Sequence, residues 1–504
     1  MNRDLVMNGK TIICLVSVIL TLAGLGCISQ PAPQSDNSQQ NDTNDKNVEG
    51  IKSIEGLWMG SLKVPNGVEL RILFNISMET DGSISATMDS LDQGVKGIPV
   101  EAATYKDGSL RLEVKSINGI FEGMLKADGK TIDGKWKQGG LDLPLVLNHI
   151  DKAPDLHRAQ DPVTPYPYIE EEVVYENKAA GVKLAGTLTL PRSEGQFPAV
   201  ILITGSGPQN RNEEIFGHRP FLVLSDYLTR HGIAVLRVDD RGVGGSTGNF
   251  SQATTEDFAG DVLAGIEYLK SRKETDPTRI GLIGHSEGGI IAPIVATRSQ
   301  DVAFIVMMAG TGLTGEEILY LQSALINRAE GASNETIARN EVLMKKTFSI
   351  VKEEQNNTIA EEEIRKLMKA EMANMSEEEK KHSGYSEANL DSQIKAIISP
   401  WMRFFLTYDP KPTLTKVKCP VLAINGEKDL QVPPEENLRA IKDALKTGGN
   451  KDYTIKEMPG LNHLFQTAQT GSPTEYAKIE ETISPAALEF IGNWILQHTQ
   501  KNEK

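Results

Sequence analysis

The run Gly284-His285-Ser286-Glu287-Gly288-Gly289 is the stretch whose residue types and spacing could do covalent chemistry. A serine hydroxyl is a weak nucleophile until a base takes its proton and a geometry exposes it. Ahead of it, Ile280 to Ile283 read as a buried strand; behind it, Ile290, Ile291, Ile294 and Val295 recur at helical spacing. So sharp a strand-to-helix turn needs small residues at Gly284 and Gly288, because a Cβ there would strike the adjoining strand or helix. The helix N-terminus behind Ser286 favours negative charge growing on an attacked carbonyl oxygen. The chemistry implied is acyl transfer through a covalent serine intermediate.

Ser286 needs a base, and the base needs an orienting acid. For a serine on such an elbow the chain order is serine, acid, histidine, with the acid after a later strand and the histidine after the last. Two loops qualify. Asp429 follows Val421-Leu422-Ala423-Ile424 in Asn425-Gly426-Glu427-Lys428-Asp429, and His463 follows Lys456-Glu457-Met458 in Gly460-Leu461-Asn462-His463. His463 would take the Ser286 proton and return it to the leaving group, while Asp429 fixes the imidazole tautomer. Glu427 is the rival acid, or else a solvated loop charge. The other histidines are placed elsewhere: His149, His157, His382 and His498 in linker, lid or terminal positions, His218 and His231 beside a helix, His285 within the elbow. Two backbone N–H groups should meet the oxyanion, those of Glu287 and of Ser206 in the turn Gly205-Ser206-Gly207-Pro208. The loop Asp239-Asp240-Arg241-Gly242-Val243-Gly244-Gly245-Ser246 lacks the glycine spacing and lysine of a phosphate-binding loop and reads as a brace for the site.

These residues need a scaffold, and strands alternate with helices after Tyr168. Pro198 to Thr204, Ala234 to Asp239, Ile280 to His285, Ala303 to Met308, Pro420 to Asn425 and Tyr453 to Met458 read as strands, most of them continuously apolar, as burial on both faces requires. Thr254 with Asp257 reads as a capping box, and Ser484-Pro485 as another helix start. The pattern predicts a mostly parallel α/β sheet. Residues 311–412 are too long for an ordinary connection and carry helical periodicity, which predicts a cap over the carboxyl ends of the strands. Within it Glu361, Glu362, Glu363, Glu377, Glu378 and Glu379 read as a solvated face. Trp401-Met402-Arg403-Phe404-Phe405-Leu406 reads as the inner face, with Trp401 in the substrate pocket or in plain core packing.

Ahead of this region, residues 51–150 hold short alternating runs separated by Asp81-Gly82, Asp107-Gly108, Asp128-Gly129 and Asp133-Gly134. Asp-Gly pairs between such runs predict hairpins and a small antiparallel barrel or sandwich, with Trp58 and Trp136 as core or rim aromatics. It is a spacer or, because barrels commonly enclose ligands, a lipid- or glycan-binding module. Residues 151–168 read as a linker to a catalytic region spanning 169–504. At the start of the chain, Arg3 and Lys10 precede an apolar run from Thr11 to Leu25 that suits an export signal more than a membrane span. The run ends in Gly24-Leu25-Gly26-Cys27 and resembles a lipoprotein signal, although a branched or large apolar residue is usual where Gly24 stands. Residues 1–27 are thus expected to be a signal ending at a lipidated Cys27, or an uncleaved anchor. A polar tether, 28–50, follows. Either reading places the protein outside the cytoplasm, attached to the membrane at most through this anchor.

With 504 residues and a net charge of −15, the chain has room for several domains and an acidic surface that would repel nucleic acid. Its three cysteines, Cys14, Cys27 and Cys419, are too few for a disulfide framework or a cysteine-rich zinc site. No H-E-x-x-H, paired C-x-x-C or dinucleotide fingerprint points to a metal or cofactor.

From about Val173 to Trp494 the chain resembles the α/β-hydrolase superfamily, in particular exported serine hydrolases of the serine-aminopeptidase-like and monoacylglycerol-lipase-like group. The resemblance rests on Gly205-Ser206-Gly207-Pro208-Gln209, Asp239-Asp240-Arg241-Gly242-Val243-Gly244, Gly284-His285-Ser286-Glu287-Gly288-Gly289, Asn425-Gly426-Glu427-Lys428-Asp429 and Asn462-His463. It implies the Ser286, Asp429, His463 triad and no cofactor. Esterases, thioesterases and peptidases share these motifs, so the substrate stays open. Serine at position 286 implies an acyl-enzyme route, where aspartate would suggest a dehalogenase-like enzyme and cysteine a dienelactone-hydrolase-like one. A carboxylic ester of small size is the first expectation and a peptide the second. The region before the catalytic domain is too short for the propeller that proline-specific relatives carry.

Overall fold

The structure, a computed structural model, describes residues 54–500 apart from 64–68, 80, 94, 139–140, 155–157 and 376–386. The signal-like segment with Cys27, the tether and the acids Glu377, Glu378 and Glu379 lie outside the described residues, and no described helix is long and apolar enough to cross a membrane. Two compact units divide the chain between Leu156 and His157.

The first unit is a single antiparallel sheet of nine strands: β1 (Gly56–Lys63), β2 (Glu69–Met78), β3 (Ile84–Ser90), β4 (Val95–Pro99), β5 (Ala102–Lys106), β6 (Ser109–Val114), β7 (Gly119–Leu125), β8 (Thr131–Gln138) and β9 (Leu141–Ile150). Their order is β4-β3-β2-β1-β9-β8-β7-β6-β5, so the two edge strands are consecutive in the chain. Val100 and Glu101 alone join them, with the Val100 N–H donating to Ala86 O on β3 and the Glu101 N–H to Glu113 O on β6. Edges joined by two residues must approach, and the sheet curls into a half-barrel rather than pairing as a sandwich. Trp58, Phe74, Phe121 and Trp136 fill its interior. An enclosed lipid or glycan would have to displace that aromatic core, which argues against the binding-module reading. Three of the Asp-Gly pairs lie between strands; the fourth, Asp133-Gly134, lies inside β8. A Cβ on Gly134 would come 2.7 Å from the Phe121 ring and 2.8 Å from Gly123 Cα, so this glycine admits a ring and a neighbouring strand instead of making a turn.

The second unit carries an eight-stranded sheet in the order β10-β11-β13-β12-β14-β15-β16-β17. In the hairpin of β10 (Ile169–Asn177) and β11 (Val182–Leu190), β11 alone runs antiparallel to the rest; β12 (Phe197–Ile203), β13 (Ala234–Val238), β14 (Thr275–His285), β15 (Val302–Met308), β16 (Val421–Gly426) and β17 (Tyr453–Met458) are mutually parallel. Parallel strands need crossovers, supplied by α1 (Pro220–Arg230), α2 (Thr255–Lys270) and α3 (Gly288–Ala296). The predicted capping box opens α2, where the Asp257 carboxylate accepts the Thr254 N–H at 2.9 Å. Between β15 and β16 the expected helical insert appears as α4 (Gly315–Ala329), α5 (Asn334–Glu353), α6 (Asn357–Ala373), α7 (Glu387–Ile397), α8 (Pro400–Thr407) and α9 (Lys411–Leu414). Helices α10 (Pro434–Thr447) and α11 (Pro485–Thr499) complete the unit, α11 starting at the predicted Ser484-Pro485.

The stretch read as a linker is not free along its length. Gln160 Nε2 donates to Ile483 O at 2.7 Å, and buried Tyr168 donates its hydroxyl to Asp226 at 2.9 Å, so residues from Arg158 onward belong to the second unit.

Candidate active site

Strand β14 lies between β12 and β15, and its last residues set the elbow. Ser286 has φ of 52°, the left-handed region that non-glycine residues avoid at a cost of about 1–2 kcal/mol. Its N–H donates to Met308 O at 2.8 Å, and its carbonyl accepts from Gly289 N–H at 2.9 Å, which holds the strained turn from both sides. A Cβ on Gly284 would lie 1.9 Å from Gly288 O, and one on Gly288 would lie 2.2 Å from Ile203 O. Neither backbone can yield that far, so both small residues are required, as the sequence implied. At a third close approach a Cβ on Gly289 would lie 2.6 Å from Gly310 Cα, so this glycine lets the start of α3 pack against the exit of β15.

Asp429 and His463 come together from the loops after β16 and β17. His463 Nδ1 is 2.8 Å from Asp429 Oδ2, and both side chains are buried. The other carboxylate oxygen, Oδ1, accepts the N–H groups of Gln431 and Val432, each at 2.8 Å. Glu427 is exposed and accepts the Gly460 N–H at 2.7 Å, which removes it as the imidazole's partner. Among the described residues no hydrogen bond joins Ser286 Oγ to His463. Bonds between nucleophile and base commonly tighten only around substrate. The residue before the nucleophile does touch the base: His285 Nε2 is 3.0 Å from His463 O, and the two rings lie 4.8 Å apart.

The turn after β12 reaches the nucleophile, since a Cβ on Gly205 would sit 3.3 Å from Ser286 Cβ. Asp240 clamps this turn at both ends, accepting Thr204 Oγ1–H at 2.7 Å and Gln209 N–H at 2.9 Å. Burial drives the Asp240 pKa well above the ordinary aspartate value, against the pull of those two bonds. Asp239 accepts from Arg211 and from Gly245 N–H, so the Asp239 to Ser246 loop braces the site. The N–H groups of Ser206 and Glu287 donate to no other backbone or side-chain group among the described residues, and both residues line one small pocket with Ser286.

Ile290, Ile318 and Phe405 form the apolar wall of that pocket; Gln431 and Val432, which hold Asp429, line it too. Trp401 does not line it. It stacks on Phe405 with ring centroids 5.0 Å apart, one helical turn back on α8, and donates its Nε1–H to Glu287 Oε1 at 2.7 Å. Residues 401 and 405 share a helix face, and of the two it is Phe405 that lines the pocket with Ser286, while buried Trp401 takes the packing role that was its alternative. Thr255 Oγ1 also donates to Glu287, at 2.7 Å, and Ser206 adds a side-chain bond. Burial raises the Glu287 pKa, and these three donors oppose the rise.

The remaining described histidines do other work. Buried His218 bonds Thr482 and Tyr476 O, and burial lowers its pKa to about 4. His149 packs edge-on against Trp58, and His498 stacks on Trp494. No group of three or more metal-ligating side chains occurs among the described residues.

Residues 220–467 match the family described as Serine aminopeptidase, S33. The chain belongs to the α/β-hydrolase superfamily. This α/β-hydrolase is 24% identical over 370 residues to Esterase EstD of Thermotoga maritima, a match covering 72% of this chain and 78% of that protein. It is 25% identical over 203 residues to Dipeptidyl aminopeptidase BIII of Pseudoxanthomonas mexicana, covering 36% of this chain and 29% of that protein. Among solved structures, the ferulic acid complex of Est1E from Butyrivibrio proteoclasticus is 18% identical, with a TM-score of 0.39, over 65% of this chain and 100% of that one.

Proposed function

We propose that this α/β-hydrolase cleaves carboxylic esters of small acyl compounds through an acyl-Ser286 intermediate. The observation that carries the reading is the convergence of the strained Ser286 elbow, the N–H groups of two residues that line its pocket and have no partner among the described residues, and a buried His463–Asp429 pair at 2.8 Å. Ser286 Oγ attacks the ester carbonyl as His463 Nε2 takes its proton. The N–H groups of Ser206 and Glu287 receive the oxyanion, and His463 protonates the departing alkoxide. Water, activated by the same imidazole, then releases the acid.

The relative named an esterase supports an ester substrate, and the family description keeps an aminopeptidase as the second reading. An aminopeptidase pocket needs a free carboxylate for the substrate ammonium. Glu287, the acid in the pocket lining, is already bonded by Thr255, Trp401 and Ser206, which favours the ester. The test is a rate panel of nitrophenyl esters, aminoacyl nitroanilides and acyl thioesters on fluorophosphonate-sensitive protein. The reading expects the esters to lead in kcat/KM, and a larger kcat/KM for the aminoacyl nitroanilides would replace it with the peptidase. Export, with lipid on Cys27, belongs to the same proposal and rests on the sequence of residues 1–27.

Pocket shape gives a further expected result. Phe405→Ala should shift the acyl-length optimum to longer chains, changing the long-to-short ratio of kcat/KM by roughly tenfold, the scale of a few methylenes in an apolar pocket. Trp401→Phe keeps the stack but deletes the donor to Glu287; it should cost about 1 kcal/mol in stability and leave the optimum in place. A panel of C2 to C10 esters with thermal melts separates the two effects.

A further inference from the structure

His285 precedes the nucleophile, is buried, and meets an acceptor at each ring nitrogen. Nδ1 is 2.9 Å from Glu213 Oε1, and Nε2 is 3.0 Å from the His463 carbonyl. A carbonyl has no proton to give, so Nε2 carries one. The bond to Glu213 needs a second, on whichever atom it resides. The pair therefore holds one proton more than a neutral imidazole beside a carboxylate. Glu213 Oε1 also accepts the Gly205 N–H at 2.7 Å, and Glu213 is buried with φ of 51°, a second strained residue beside the site. Strain of this kind persists only where the surroundings over-determine it.

We propose that Glu213 and His285 are a protonated positioning pair: Glu213 aims the Gly205–Ser206 turn at the oxyanion, and His285 holds the backbone of His463 so that its imidazole faces Ser286. The inference rests on the catalytic reading of Ser286 and His463. Losing the extra proton breaks one of the two bonds, lets one half of the site drift, and lowers kcat.

The charged and titratable groups around His285 are Glu213 from the loop after β12, Asp429 from the loop after β16 and the His463 ring; the Glu213 charge also acts on Asp240, after β13, and the Phe465 ring lies 6.4 Å from His285. Burial would strip the proton from His285. The Glu213 charge, its hydrogen bond and the His463 carbonyl outweigh that and raise the His285 pKa above the ordinary histidine value. A raised folded-state pKa contributes stability that is complete below the ordinary value and is lost as pH rises through the raised one.

The test is Glu213→Gln in the full chain, which keeps an acceptor for Gly205 and removes the charge. With a nitrophenyl ester from pH 6 to 9.5, wild-type kcat should fall on the alkaline side. In the variant that fall should begin at least about one pH unit lower. At pH 8 kcat should then drop on the order of 10- to 100-fold, below the cost of deleting an oxyanion donor, with KM within about threefold. A loss equal at all pH values, or an unmoved profile with only lower melting temperature, would overturn the pair's role. Should Glu213→Gln not fold, imidazole ¹⁵N NMR of the wild type reads the same proton, assigned with His285→Gln. A His285 titration midpoint at or below about 6.5 contradicts the proposal. Fluorophosphonate labelling of Ser286 in the wild type separates the failures: no label sinks the catalytic reading, whereas label with an unmoved profile sinks the pair alone.

Discussion

Replacement of Ser286 by alanine is expected to lower kcat on the order of 10⁶-fold, leaving the small residual rate that binding and an oxyanion hole supply. The fold should survive, because alanine and serine bear the same Cβ in the left-handed backbone, and the N–H bond to Met308 O is independent of the side chain. Ser286→Gly should be equally inactive but more stable by about 1 kcal/mol, since glycine meets no Cβ penalty at φ of 52°. Steady-state kinetics with thermal melts on the two variants check both halves. If the glycine variant is the less stable one, the elbow is not strained in the way argued.

Asp429→Asn should reduce kcat on the order of 10³- to 10⁴-fold. The structure gives the reason in geometric form. Oδ1 is held by the N–H groups of Gln431 and Val432, both at 2.8 Å, so the asparagine oxygen stays there and its NH₂ turns toward His463. Nδ1 must then accept, the proton moves to Nε2, and the imidazole loses the lone pair that Ser286 needs. Glu427→Gln, on an exposed side chain whose one bond among the described residues is from Gly460 N–H, should change kcat less than twofold. Parallel kinetics on the two variants decide the assignment, and a reversal of the effects would move the acid to Glu427.

Most of the central sheet was legible because strands buried on both faces are continuously apolar, and β17 spans the residues read for it. The antiparallel hairpin β10–β11 was not read as strands: Ile169–Asn177 carries three successive glutamates, the signature of an exposed edge, and leaves little apolar run to recognise. The start of β14, Thr275–Arg279, escaped because Asp276, Pro277, Thr278 and Arg279 leave no apolar run, although the strand lies inside the sheet. Asp429 and His463 followed from position in the chain, since each loop offers few alternatives. Glu213 did not, because its bond to His285 spans 72 residues and no local spacing announces it. The signal was a histidine inside the elbow, which needs a partner once buried. Trp401 and Phe405 lie on one helix face, and periodicity places both inward without saying which end of α8 reaches the pocket. In the half-barrel three of the four Asp-Gly pairs marked turns, whereas Asp133-Gly134 falls inside β8 and the order that sets β1 beside β9 depends on closure of the whole sheet.

The central claim is that an acyl group resides on Ser286 during turnover. Rapid quenching of the full-length protein with a nitrophenyl ester, followed by intact mass and peptide mapping, measures this directly. The account predicts a burst of about one nitrophenolate per chain and one acyl group on the peptide containing Ser286, both absent in Ser286→Ala. Turnover with no acylated peptide, or acylation on another residue that survives Ser286→Ala, would contradict it.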